Sequence, residues 1–220
     1  MATLDHTPTE TPVETLSAHG DRAAATRRGR HLEIFTLGWN LLEAVISIAA
    51  GWLAGSTALV GFGFDSLIES TSGAALLWRL QDGAKGEQRE RRALQLVGVS
   101  FLLLAVWVGW EAGSALWWRE IPQVSWVGIG LAAVSLVVMP VLARAKRRVA
   151  ADLDSRALEA DSRQTDMCAY LSAILLAGLG LNALFGWWWA DPVAALAMVP
   201  ILGHEGIEAL RGETCGCQAG

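Results

Sequence analysis

Charged residues are few for a chain of this length. Lys, Arg, Asp and Glu together make up 18% of the 220 residues, whereas a soluble domain has about 25%. Apolar residues make up 53% and collect in stretches of about twenty, the length at which a helix spans a bilayer. The shortage of charge therefore argues against a soluble protein and predicts one that crosses a membrane.

Cysteine is scarce, and several catalytic patterns are missing. Three cysteines cannot form a disulfide framework. The sequence has no HExxH pattern, no GxGD pair and no evident Ser/His arrangement, so we do not expect an enzyme. Residues 1–30 have no apolar run typical of a signal peptide and are rich in Thr, Ala and Pro, which predicts a disordered tail.

Six apolar segments predict an all-α polytopic membrane protein with six transmembrane helices. Short links carrying Gly, Pro or Trp join the first segment to the second, the third to the fourth and the fifth to the sixth, and basic links join the others. No alternation typical of β-strands is long enough to matter. The predicted segments are 34–54, 58–80, 93–118, 124–142, 161–187 and 192–210.

Basic residues lie almost entirely on one side of this topology. Of the 17 Lys and Arg residues, only Arg119 falls in the short links. The positive-inside rule then places both termini in the cytoplasm. Trp117, Trp118 and the run from Trp187 to Trp189 would lie at the opposite interface, which indole rings favour. Because topology explains the basic links, we expect no nucleic-acid partner.

Two acids interrupt the second segment. Asp65 and Glu69 are four residues apart, so on a helix they lie one turn apart on one face. An acid at the centre of a membrane helix costs about 2.5–3.5 kcal/mol on insertion scales, and such residues usually face a cavity. Protonated acids bonded to neighbouring helices would be the structural alternative. We interpret the pair as ligands of a divalent cation, which would remove their mutual repulsion.

The first segment carries a second intramembrane acid. Glu43 follows Asn40 by about one turn. These two residues could complete the ligand set of the acid pair, or relay protons from just outside it. A hydrogen bond that only joins two helices is the structural alternative.

The fifth segment opens with polar residues at helical spacing. Asp161, Thr165 and Cys168 lie at offsets of 0, 4 and 7, on one face of a helix, and Gln164 lies on an adjoining stripe. Carboxylate, amide oxygen and thiolate together would make a mixed oxygen and sulfur site that zinc or a related transition ion accepts. A buried cysteine that only packs is the alternative.

The sixth segment and the end of the chain hold a further group. His204 and Glu208 are four residues apart, and Cys215 and Cys217 follow. They could form a cytoplasmic site that captures metal. Equally, they could be an exposed helix end and a loose tail.

These residues together resemble the cation diffusion facilitator (cation efflux) family, whose members export divalent metals in exchange for protons. The resemblance covers about residues 31–210. The family spaces two metal-ligand acids as DxxxD in its second helix, which here reads "DSLIE", and "WWWADPVAAL" resembles its entry to the sixth helix. The resemblance implies six helices with both termini inside.

In the fifth helix the family pattern resembles ADAxHxxxDxxxS. Laid on it without gaps, "ADSRQTDMCAYLS" puts Gln164 where the family has His and Cys168 where it has Asp. A gapped alignment would use Ser162 and Asp166 instead. The resemblance thus implies ligands that face Asp65 and Glu69 from the fifth helix, and it leaves their register open.

The resemblance also implies a function and a domain organisation. We expect a proton-coupled efflux transporter for zinc or a related transition ion, with no cofactor apart from the transported ion and with its metal site between the second and fifth helices. A metal-binding membrane protein that does not transport, such as a sensor or modulatory subunit, is the alternative. We expect an integral protein of the plasma (inner) membrane.

We expect three parts along the chain: a disordered cytoplasmic tail (1–30), a six-helix cation-efflux-like domain (31–210) and a short cytoplasmic tail (211–220). The family usually adds a cytoplasmic domain after its sixth helix, so this sequence resembles a short, transmembrane-only branch. We therefore expect a homodimer held by membrane helices. Gly109 and Gly113 form a GxxxG pattern in the third segment, which Ala105 extends.

Overall fold

Six α-helices account for nearly all of the part of the chain that the structure describes. The structure is a computed structural model, and it describes residues 12–82 and 87–211. No strand occurs within these residues, so the predicted all-α architecture with six helices is confirmed. The helices are α1 Pro12–Ala54, α2 Thr57–Asp82, α3 Glu87–Trp118, α4 Trp126–Leu153, α5 Arg156–Phe185 and α6 Ala190–Arg211.

Two helix boundaries differ clearly from the prediction. Helix α1 begins at Pro12, so the described part of the expected tail, residues 12–30, is helical, while residues 1–11 lie outside the described residues. Most of the basic link between the fourth and fifth segments is helical too. Asp154 ends α4 in the left-handed conformation, which Asp tolerates better than most residues, and Ser155 then caps α5 by accepting from the backbone N–H of Leu158.

Within the described residues, five of the helices (α1, α3, α4, α5 and α6) contain a stretch that is long and apolar enough to cross a membrane. Large apolar side chains such as Trp52, Trp110 and Leu184 point outward and are highly exposed, as expected of helices surrounded by lipid. Helix α2 carries the acid pair and packs against four neighbours, α1, α3, α5 and α6. The helix with charged residues at its centre is therefore the helix that the others surround.

Glycines allow the helix backbones to approach closely. A Cβ added to Gly63 would lie 2.9 Å from the backbone nitrogen of Ile48, which fixes α2 against α1. A Cβ on Gly98 would lie 2.8 Å from the carbonyl oxygen of Gly206, where α3 and α6 meet. Such close contact is the usual basis of helix association in membranes, where the hydrophobic effect does not drive helices together.

The short links meet at one end of the bundle, where polar contacts tie them together. The hydroxyl of Ser56 donates to the carboxylate of Asp191 at 2.5 Å. That carboxylate also accepts from the backbone N–H groups of Thr57 and Ala58 at the start of α2, groups that have no partner within the helix. Asn182 donates to the carbonyl of Pro122 at 3.1 Å. The first residues of α6 thus fix the start of α2.

The GxxxG stripe of α3 does not form one outward face. Ala105 lies in the apolar core, and a Cβ on Gly109 would lie 3.7 Å from the side chain of Val199 in α6. Only Gly113 has nothing within 4 Å of such an atom. Two of the three small residues therefore serve packing within the chain, and a homodimer stays a prediction.

Replacing Asp191 with Ala should destabilise the fold, because it removes the hydrogen bonds that join α6 to the start of α2. Bonds to a charged group contribute about 1.5–3 kcal/mol each, so we expect a clear fall in the thermal unfolding midpoint of the detergent-purified protein. Glu120→Ala is the control, since Glu120 is an exposed acid on a link and such substitutions usually change stability by less than about 0.5 kcal/mol. Equal midpoints for the two variants would contradict this account.

Candidate metal centre

The acid pair of α2 lies deep in the bundle. Asp65 is 3% exposed and Glu69 is 8% exposed. They lie on the same face of α2, one helical turn apart, and that face is directed at α1 and α5 rather than at lipid. Two carboxylates this close in an apolar interior repel each other unless positive charge or protons offset them.

Cys168 of α5 completes a three-residue cluster with this pair. The thiol is fully buried, and its sulfur lies 2.9 Å from Glu69 Oε2 and 3.9 Å from Asp65 Oδ2. One donor atom from each of the three residues lies within 4.8 Å of the others. We call Asp65, Glu69 and Cys168 the metal centre. It brings together residues about a hundred positions apart, from the two helices between which the site was predicted.

Helix α1 closes a third side of the metal centre. The amide nitrogen of Asn40 donates to Glu69 Oε2 at 3.0 Å, and Asn40 Oδ1 is buried without a hydrogen-bond partner among the described residues. Glu43 is fully buried and accepts from Trp39 Nε1 at 2.7 Å and from the hydroxyl of Ser66 at 3.4 Å. Asn40 therefore contacts the metal centre directly, whereas Glu43 is held beside it by its own donors.

The sequence led us to expect Asp161 at the metal centre, but the structure does not place it there. Its carboxylate pairs with the ammonium of Lys146 on α4. Asp161 precedes Cys168 by seven residues, which is about 10 Å along a helix axis, so the two share a face but not a level. Gln164 is half-buried and makes no side-chain hydrogen bond among the described residues.

The gapped alignment of α5 also fails to place ligands beside Asp65 and Glu69. Asp166 forms an ion pair with Arg147 and is partly exposed. The hydroxyl of Ser162 donates to the carbonyl of Glu159 at 2.6 Å. Of the two alignments of the fifth helix, only the ungapped one places a donor beside the acid pair, and that donor is Cys168.

A second group lies near the end of α6. His204 Nε2 and Glu208 Oε1 are 3.7 Å apart, and Glu205 joins them with donor atoms all within 4.8 Å. The sequence analysis missed Glu205, although it is three residues from Glu208 and thus a helical neighbour. The other members of the predicted capture site, Cys215 and Cys217, lie outside the described residues.

The chemistry of the metal centre suits a divalent ion. Two carboxylates and one thiol form a mixed oxygen and sulfur donor set, which zinc and related transition ions accept. A dication would balance the two carboxylate charges, and the buried setting would strengthen the attraction because water does not screen it. Three protein donors also leave a fourth tetrahedral position open.

Comparison with known proteins assigns the chain to a family. A family model of the cation efflux transmembrane domain matches residues 34–211. The chain is similar to Cation-efflux pump FieF of Shewanella oneidensis, with 27% identity over 113 residues, or 51% of this chain and 36% of that protein. It is also similar to Transmembrane protein 163 of Xenopus laevis, with 28% identity over 123 residues, or 55% and 44%.

The matched stretch thus spans less than half the length of each of these two relatives. The family model, in contrast, covers most of this chain, from within α1 to the end of α6. The protein is therefore an integral, multi-pass membrane protein that belongs to the cation efflux family.

Proposed function

We propose that the protein transports a divalent metal cation, zinc or a related transition ion, by binding it at the metal centre. The observation that carries this proposal is the buried cluster of Asp65, Glu69 and Cys168 between α2 and α5. Membership of the cation efflux family supports cation transport in general. The donor set and its burial support a transition ion as the substrate.

Proton exchange follows from the same donors. Carboxylates and thiolate bind metal only when they are deprotonated, so protons and metal compete for the same oxygen and sulfur atoms. A proton that enters from the opposite side can therefore displace the ion outward. Glu43, buried on α1 beside Ser66, is the neighbouring carboxylate that we assign to proton relay.

A cytoplasmic capture group would supply the metal. His204, Glu205 and Glu208 have donor atoms within reach of one ion and are partly exposed, so they can exchange metal with water. With both termini in the cytoplasm, as the distribution of Lys and Arg supports, this end of α6 faces the cytoplasm. We assign the protein to the plasma (inner) membrane and the direction of transport to efflux.

Replacing Asp65 with Asn should abolish metal transport and leave the protein folded and inserted. Asn keeps the volume but removes the charge that attracts a dication. Uptake of zinc into proteoliposomes with an imposed pH gradient should fall to the level of empty vesicles. The control is Asp166→Asn, the same change at a carboxylate paired with Arg147 outside the metal centre, which should transport like the wild type.

The same assay distinguishes transport from binding alone. Stoichiometric zinc binding by the wild type without gradient-dependent uptake would favour a sensor or modulatory subunit. Transport at the wild-type rate in D65N would remove the metal centre from the mechanism.

Replacing Cys168 with Ser should change the metal preference. The thiolate favours soft, thiophilic ions, and a hydroxyl removes that preference, so the affinity order should shift from zinc toward harder ions such as manganese. Competition binding across zinc, cobalt, nickel and manganese measures the order. An order that is the same in both proteins would show that Cys168 only packs and is not a ligand.

A homodimer, if it uses α3, should involve Gly113, the one residue of the GxxxG stripe that is open to the outside. A cysteine introduced there in native membranes should crosslink to its copy in a second chain. A cysteine at Ala105, which lies in the core, is the control and should not crosslink. Crosslinks absent at both positions, together with a transport-active monomer, would exclude a dimer through α3.

A further inference from the structure

A lysine lies in the interior of the bundle with two carboxylates around it. Lys146 of α4 is fully buried, and its ammonium pairs with Asp161 of α5. The same ammonium lies 3.3 Å from Oε1 and 3.4 Å from Oε2 of Glu33 on α1, and it donates to the hydroxyl of Thr165 at 3.4 Å. Two helices, α1 and α5, thus supply oxygen atoms to a positive charge carried by a third helix, α4.

The oxygen atoms around the Lys146 ammonium are of the kinds that form a cation site. Burying an ammonium is costly unless carboxylates and hydrogen bonds surround it, and here both are present. The ammonium of Lys146 supplies one positive charge, and oxygens of two carboxyl groups and one hydroxyl face it. Glu33 is 2% exposed, and within the described part of the chain its Oε1 makes no contact of hydrogen-bond geometry. The oxygen donors are carboxylates and a hydroxyl, the type of ligand that hard divalent ions use.

This group lies next to the metal centre along two helices at once. On α5, Asp161 precedes Cys168 by seven residues, and on α1, Glu33 precedes Asn40 by seven residues. Seven residues are two helical turns, or about 10 Å. The interior therefore contains two polar layers at this spacing, and both layers use α1 and α5.

We propose that Glu33, Asp161 and Thr165 form a second cation site, one layer away from the metal centre, and that the ammonium of Lys146 is its tethered, permanent occupant. The lysine keeps a divalent ion from binding in this layer, so that metal is held at the metal centre alone. This role rests on the proposed function, whereas the second site itself follows from the contacts of Lys146.

The occupancy of the second site can be tested by removing the lysine charge. In purified full-length protein, Lys146→Met keeps an unbranched apolar stem but leaves the oxygens free. Equilibrium binding of manganese or zinc should then show one more ion per chain than the wild type. The extra ion should disappear again in K146M/D161N. Lys146→Arg, which keeps a tethered cation, should bind the same number of ions as the wild type.

A background that lacks the metal centre separates this proposal from the proposed function. In D65N the metal centre is disabled, and adding K146M should still create one extra ion. That result would support the second site even where the wild type shows no transport. A folded K146M chain that binds no additional ion, in either background, would overturn the proposal and leave Lys146 as a structural ion pair between helices.

The second site can still be tested if K146M does not fold in metal-free buffer. If a divalent ion takes the place of the ammonium, millimolar manganese present during purification should restore the thermal unfolding midpoint of K146M. The same addition should leave the midpoint of K146M/D161N low. A K146M chain that manganese does not rescue would contradict the second site, because its oxygens would then not accept a divalent ion.

Discussion

The cost of burying charge between helices determines which residues meet in this protein. Several other buried charged groups have fixed partners. Asp191 accepts hydrogen bonds from Ser56 and from the start of α2. Glu43 accepts from Trp39 and Ser66, and Lys146 lies between two carboxylates. Asp65 and Glu69 differ. Within the described residues their hydrogen bonds come only from one thiol and one amide, and no cation pairs with them. This deficit of positive charge favours the proposed role of the pair in cation binding over a purely structural contact.

The packing around α2 is what holds these acids away from lipid and at a fixed distance from α5. Gly63 allows α1 to lie against α2, and Gly128 of α4 leaves room for Leu59 of α2 and Leu179 of α5. Apolar residues such as Phe62, Phe101 and Leu175 fill the remaining interior. Since the hydrophobic effect does not drive helices together in lipid, close packing and buried polar bonds must supply the attraction. The metal centre is therefore formed by the same contacts that assemble the bundle.

The sequence was sufficient to predict six helices and the acid pair, because apolar length and intramembrane carboxylates are strong local signals. It did not predict Lys146, since a lysine within "ARAKRRV" looks like any other residue of a basic link until the helix is seen to continue through it. Nor did it separate Asp161 from Cys168, because helical spacing shows which residues share a face and not which neighbour each one meets. The structure also shows helix over 12–30, where the composition is typical of disorder. Near the end of this stretch Gly29 lies close to Val149 and Leu158, and tertiary contacts of this kind are not visible in a composition.

A thiol in place of a carboxylate changes the charge of the metal centre. Two carboxylates and a neutral thiol carry two negative charges, which a dication balances without any change in the thiol. Once the thiol is deprotonated the set carries three, and the bound complex holds a net negative charge that is costly to bury. In the proposed site, a dication would therefore be coordinated by the two carboxylates while the thiol is neutral, and by all three donors once the thiol is deprotonated. In the proposed exchange, protons and metal would compensate the same buried charge, so the energetic link between the two would follow from burial itself.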